Sequence, residues 1–170
     1  MIAFEVSGTP APQGSKKAFL HPITKRILMM ESSAKVKPWR QAVAETAAVF
    51  MRAEGLAPFA GPVEMAVTYF LRPPQKHYRK DGSLRPGSPY LVSNKPDLSK
   101  LQRSTEDALT GICYNDDSQI VRMILDKVYS RDERARIAIR PAVLTPHAYV
   151  RPAYESLIVL YGAGDEPIAE

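Results

Sequence analysis

Cysteine is nearly absent from this 170-residue chain, with Cys113 the lone example. No intramolecular disulfide can form, which suits a reducing compartment such as the cytoplasm. Histidine is scarce as well. His21, His77 and His147 show no metal-ligand spacing and read as surface residues, with phosphate contact a minor alternative for His77. No apolar run approaches the length that spans a bilayer. The opening Met1-Ile2-Ala3-Phe4-Glu5 has neither a basic n-region nor a long apolar stretch, so no secretory leader is expected. No internal repeat and no second domain are visible. What is present is a chain with a 45% hydrophobic fraction and a net charge of +5. That is enough to bury one core. A basic surface suits a polyanionic partner, although many basic proteins bind no nucleic acid.

Ile2, Phe4 and Val6 alternate with Ala3, Glu5 and Ser7 and predict a strand, followed by a Pro- and Gly-rich loop from Gly8 to Gly14. Residues 18–20 and 26–30 predict a hairpin. Lys16 and Lys17 before it are either DNA-backbone contacts or a solvated pair. Val36, Trp39, Val43, Ala47 and Phe50 recur at helical spacing, predicting an amphipathic helix from near Pro38 to about Arg52, ended by Gly55. Trp39 lies on its apolar stripe and reads as core, with base stacking the alternative. Val63, Met65, Val67 and Tyr69 predict a half-buried strand.

The organising stretch runs from Lys95 to Ile120. Pro96 disfavours helical geometry at Lys95, Asp97 stands where an N-cap would, and Leu98, Leu101, Thr105, Ala108 and Leu109 follow at helical spacing up to Gly111. Asn115-Asp116-Asp117 is a polar turn opening onto a strand over 119–129. A helix that folds back on that strand would gather Asp97, Asp116 and Asp117 at one end of both elements. Clustered carboxylates repel unless a cation joins them, and hard oxygen ligands suit Mg²⁺, or Mn²⁺ as an alternative. Such a metal bridges phosphate and activates water. Arg103, on the same helix, is suited to face a bound phosphate. Taken alone, the same residues also suit a simple N-cap and a simple acidic turn.

Between Arg72 and Asn94 the chain has little periodicity and is expected to be a mobile basic loop. Arg72, Lys76, Arg79, Lys80 and Arg85 face one acid, Asp81, and His77, Tyr78 and Tyr90 interleave with them. Cations supply phosphate affinity and aromatics stack on exposed bases. A solvated loop without a partner is the plainer alternative. Lys127, on the face of the strand shared by Val121, Met123 and Leu125, is either a further phosphate contact or a strand-end charge. Residues 135–139 predict a last strand. Residues 155–161 suit a short strand or a short helix, and 165–170 are expected to be disordered.

Lys95-Pro96-Asp97-Leu98, Asp107-Ala108-Leu109 and Asp116-Asp117-Ser118-Gln119-Ile120 resemble the RusA family of Holliday-junction resolvases. That family shows a K-P-D-x-D-N-L-like start, a D-A-L helix end and a D-D-x-Q turn in this order. The match is strongest from Lys95 to Tyr129. Looser similarity covers Gly8-Thr9-Pro10 and Lys37-Pro38-Trp39-Arg40. The resemblance implies a homodimeric, Mg²⁺-dependent endonuclease that cuts four-way DNA junctions by paired nicks. Asp97 and Asp117 then fall on family aspartates, with Asp116 beside the second, and Arg103 falls on the family's basic helix residue. Ser99 departs from the pattern, standing where the family has its second aspartate, and Lys100 replaces the following Asn. A branched-DNA binding protein with a degenerate metal site is therefore the alternative function.

The expected fold is α+β: one domain over 1–144 with a mixed sheet of about four or five strands and two main helices, a C-terminal extension over 145–170, and a two-fold dimer. The residues offered to DNA are Lys16, Lys17, Arg72, Lys76, Arg79, Lys80, Arg85, Lys100 and Lys127; those offered to the metal are Asp97, Asp116 and Asp117.

Overall fold

A computed structural model describes residues 1–14, 17–30 and 33–142, the side chains of 17 and 28–30 excepted. Lys16, the side chain of Lys17, His147 and the expected 145–170 extension, with its 155–161 and 165–170 segments, lie outside the described residues. The described chain runs β1 (Ile2–Ser7), β2 (Lys17–Leu20), β3 (Ile27–Met30), α1 (Val36–Ala53), β4 (Val63–Leu71), α2 (Leu98–Leu109), β5 (Ile120–Tyr129) and β6 (Arg134–Pro141). Four strands form a sheet in the order β1-β6-β4-β5, while β2 and β3 pair as a separate hairpin. Among the strands of the described residues, β4 and β5 pair parallel and the other pairs are antiparallel. The expected α+β class, with a mixed sheet and two main helices, is the fold observed.

One face of the sheet holds the core. Met65, Val67 and Tyr69 of β4, Ala135, Ile137 and Ile139 of β6, and Ile2 and Val6 of β1 lie beneath the α1 stripe of Val36, Trp39, Val43, Ala47 and Met51. The three- and four-residue spacing of that stripe gives α1 a single apolar face. Gly55 follows α1 with φ +62°, a conformation that costs a glycine little.

The expectation of a half-buried β4 is corrected: the strand is buried on both faces except at Thr68. Alternation misleads here because the outward-pointing Glu64 is only 3% exposed, clamped by Arg122 and Arg140 from the neighbouring strands. Phe70 lies under the Arg134 guanidinium, 3.9 Å from its ring centre. Arginine stems thus shield the outer face of the central strand while their heads stay near water.

A parallel pair such as β4 and β5 needs a crossover connection, and α2 lies in that connection. Its inner face carries Leu101, Ala108 and Leu109 together with three buried polar side chains, Gln102, Ser104 and Thr105. Trp39 Nε1 donates to Thr105 Oγ1 (3.2 Å), so the tryptophan is a core residue with its one polar atom satisfied. The Tyr69 hydroxyl is 2.9 Å from Gln102 Oε1 and 3.0 Å from Thr105 Oγ1. Ser104 Oγ donates to the Ala11 carbonyl (2.6 Å), tying α2 to the loop after β1. These directional bonds fix the rotation of α2 and leave Ser99, Arg103 and Asp107 exposed.

Candidate active site

Asp97 occupies the N-cap position of α2, but the expectation that its side chain caps the helix is corrected: it makes no capping hydrogen bond. Its carboxylate pairs instead with Lys100 at 2.8 Å. That bond and charge hold the Asp97 carboxyl below its usual range, with Lys95 and Lys127 adding to the effect. Lys127 donates from Nζ to the carbonyls of Asn94 (2.6 Å) and Pro96 (2.8 Å), so its ammonium locks the end of β5 to the start of α2. The Lys95–Pro96 peptide bond is cis. Asp97 opens onto a cleft of about 550 Å³ whose cations are Lys35, Arg72, Lys95 and Lys100 and whose other acid is Glu133. Thr9 in the same cleft donates to Glu133 (2.9 Å). A cleft with four cations and two carboxylates is suited to a phosphate diester.

Asp116 and Asp117 lie elsewhere. Asp116 caps the short helical turn Asp117–Gln119, accepting from Ser118 N (2.9 Å), and this bonding lowers its carboxyl pKa. Gln119 accepts from Asp116 N (2.9 Å) and donates to the carbonyls of Phe59 (2.9 Å) and Gly61 (2.8 Å). The Asp-Asp-x-Gln turn is therefore a structural clasp between the start of β5 and the lead-in to β4, and it leaves Asp117 exposed. Glu106, one α2 turn before the C-terminus, has its carboxyl pKa raised, first by partial burial and then by the charges of Asp107 and Asp117. Arg103, one turn earlier, opposes that rise.

The expectation that Asp97 and Asp117 gather at one end of helix and strand is corrected. A helix that folds back on its following strand runs antiparallel to it, so the residues before the helix and before the strand fall at opposite ends. The twelve residues of α2 span about 18 Å at 1.5 Å per residue. Asp97 senses Lys127, late in β5, whereas Asp117 precedes β5 and acts on Glu106 and Tyr114. Among the described residues, no group of three or more acidic, histidine or cysteine side chains is placed to hold a metal within one chain.

The basic segment from Arg72 to Asn94 folds on itself. It contains the short turn Gln75–His77 and is held by Arg79 N to Ser83 O (2.7 Å), Arg85 N to His77 O (2.8 Å) and Arg85 Nε to the Tyr78 carbonyl (3.0 Å). Lys76, Arg79, Lys80 and Arg85 are exposed. His77, expected at the surface, is instead half-buried edge-on against Tyr129, with ring centroids 5.2 Å apart. Sequence reasoning passed over Lys35 and Glu133. Neither belongs to a motif, and both reach the Asp97 cleft only through the tertiary fold.

The domain is a small mixed sheet crossed by a helix, with exposed carboxylates at both ends of that helix and a basic cleft at one. The family model of the RusA endodeoxyribonucleases matches residues 8–140. The chain is also 32% identical over 147 residues to an uncharacterized protein, YqaN, of Bacillus subtilis (strain 168), an alignment covering 82% of this chain and 95% of that protein. This chain belongs to the RusA endodeoxyribonuclease family.

Proposed function

We propose that this protein resolves four-way DNA junctions by paired, Mg²⁺-dependent nicks during recombination and repair, acting as a homodimer. The observation that carries the reading is the family match across residues 8–140, which includes both candidate aspartates. The donor chemistry fits: Asp97, Asp116 and Asp117 offer hard oxygen atoms, and Mg²⁺ commonly binds through one or two carboxylates together with water and phosphate. When bound, such an ion supplies an activated water and charge neutralisation at the phosphate. Lys35, Arg72, Lys95 and Lys100 hold the DNA backbone in the Asp97 cleft. Arg103 stabilises charge on the phosphoryl oxygens.

Separation of Asp97 from Asp117 within one chain favours a site completed across a dimer. Lysines surround the N-terminal end of α2 and carboxylates its C-terminal end. Two α2 helices laid antiparallel about a two-fold axis oppose unlike charges, setting Asp97 of one chain toward Asp117 of the partner subunit. A two-fold assembly also matches the two symmetry-related strands of a junction.

The test is incubation of the purified protein with a synthetic four-way junction, with Mg²⁺ or with EDTA, beside Ser99→Asp and Asp117→Asn. Symmetric nicking that needs Mg²⁺ and vanishes in Asp117→Asn is expected. Ser99→Asp restores a carboxylate at the first turn of α2 and is expected to speed nicking. Retardation of the junction without nicking by the native protein, but with nicking by Ser99→Asp, would identify a branched-DNA binder with a degenerate site instead.

A further inference from the structure

The basic loop builds a second cavity, distinct from the Asp97 cleft. It encloses about 580 Å³, within the range of small-ligand sites. Its walls include His77, Leu84, Tyr90 and Tyr129, and its cations are Arg79, Arg85 and Arg131. Among the described residues, no carboxylate lines it. The walls are preformed: besides the loop's internal bonds, Tyr129 N donates to the Tyr90 carbonyl (2.8 Å) and Val92 N to the Lys127 carbonyl (3.2 Å), stitching the end of the loop onto β5. His77 Nδ1 is buried without a hydrogen-bond partner. Arg79 and Arg131 form no ion pair among the described residues.

Flat aromatic and aliphatic walls beside unpaired guanidiniums match one chemical class, a planar apolar-faced group carrying an anion. A nucleotide is such a group. A base turned out of the stack presents both its flat face and its phosphate to such a cup. Tyr129 lines both this cup and the Asp97 cleft, so the two cavities share a wall. We propose that the cup receives a single unstacked nucleotide of the bound DNA, its base against Tyr90 and its phosphate among Arg79, Arg85 and Arg131, next to the phosphodiester held at Asp97. The location beside a cleavable phosphate rests on the junction-nuclease reading, while the ligand class rests on the cup itself.

The experiment has two arms. In the first, the ¹⁵N-labelled full chain is titrated with each of the four deoxynucleoside 5′-monophosphates and, separately, with inorganic phosphate. Shifts confined to His77, Leu84, Ser88, Tyr90 and Tyr129 are expected for at least one nucleotide, with affinity about tenfold weaker or more in Tyr90→Ala and largely kept in Tyr90→Phe. Equal shifts from inorganic phosphate, or shifts spread over the basic surface, would overturn the proposal. In the second, 2-aminopurine is placed at positions flanking the crossover of a four-way junction and its fluorescence is read in EDTA. A rise on binding at one position is expected, lost in Tyr90→Ala although the gel shift persists. A junction that is bound and cut without any fluorescence rise sinks the cup and spares the nuclease reading. A mononucleotide seated in the cup, with no junction bound or cut, does the reverse.

Discussion

The two ends of α2 carry carboxylates in opposite electrostatic settings. At the N-terminus, Asp97 stands among Lys95, Lys100 and Lys127, and its pKa is lowered. The positive end of the helix dipole favours the same ionised form. At the C-terminus, partial burial first and then the charges of Asp107 and Asp117 raise the Glu106 pKa, Arg40 pairs with Asp107, and the last turn of α2 contains no basic residue. There the dipole opposes negative charge. The N-terminal end thus favours an ionised carboxylate and the C-terminal end disfavours one. The lesson is that two aspartates of one motif set need not sit in equivalent settings: Asp97 stands in a basic cleft, whereas Asp117 adds to the negative charge around Glu106.

The largest test breaks that division of labour between chains. Asp97→Asn and Asp117→Asn are each expected to abolish nicking while still retarding a junction. If the site is completed across the dimer, a heterodimer of the two variants gathers both lesions at one site and leaves the other intact. Mixing and re-equilibrating the inactive proteins should then restore single-strand nicking in Mg²⁺. Silence from the mixture, with exchange of subunits verified, would return both aspartates to one chain.

Next in size is the basic loop. Neutralising Arg79, Lys80 and Arg85 together should weaken junction binding and reduce the slope of log K against log salt by up to about 3, near 0.9 for each lost phosphate contact. An unchanged slope would confine DNA binding to the Asp97 cleft and its lysines.

Much of this arrangement was legible in the residues. Helical spacing and Gly111 located α2, and the Asp97, Arg103 and Asp117 positions came from motif order. The relation between them did not. Spacing along a chain carries no direction in space, and the antiparallel run of α2 against β5 follows from the parallel β4–β5 pairing, a long-range fact. The strand pattern of β4 was read correctly in type and wrongly in burial, because Glu64 is covered by Arg122 and Arg140 from other strands. His77 was misplaced for a similar reason: its neighbour Tyr129 is 52 residues away in sequence. The carbonyl partners of Lys127 were equally invisible in the residues, because Asn94 and Pro96 lie 33 and 31 positions away in sequence.

The hinge of the comparison is the polar seam that sets the rotation of α2. Thr105→Val removes the hydroxyl that serves Trp39 Nε1 and Tyr69, leaving a buried N–H unpaired. A loss of about 1–3 kcal/mol is expected in urea unfolding monitored through Trp39, the sole tryptophan. A neutral result would mean that apolar packing alone orients α2.

The smallest effect separates the two ends by pH. The folded pKa of Asp97 lies below its ordinary 3.8, so whatever stability it adds is present above that pH and is lost as pH falls through the folded value. Glu106 works in the other direction. Its folded pKa lies above the ordinary 4.5, so its favourable contribution is complete below 4.5 and is lost as pH rises through the folded value. Glu106→Gln removes that titration. Its melting temperature should match the native protein near pH 4 and exceed it slightly at pH 7. In the native protein, Mg²⁺ should narrow the difference at pH 7 if the cation sits beside Asp117, because a nearby positive charge favours the ionised carboxylate. A variant that melts lower than native at pH 7 would show instead that Arg103 and Gln102 already compensate the carboxylate. The acidic end would then be balanced within the chain, and the electrostatic case for a cation at Asp117 would fail.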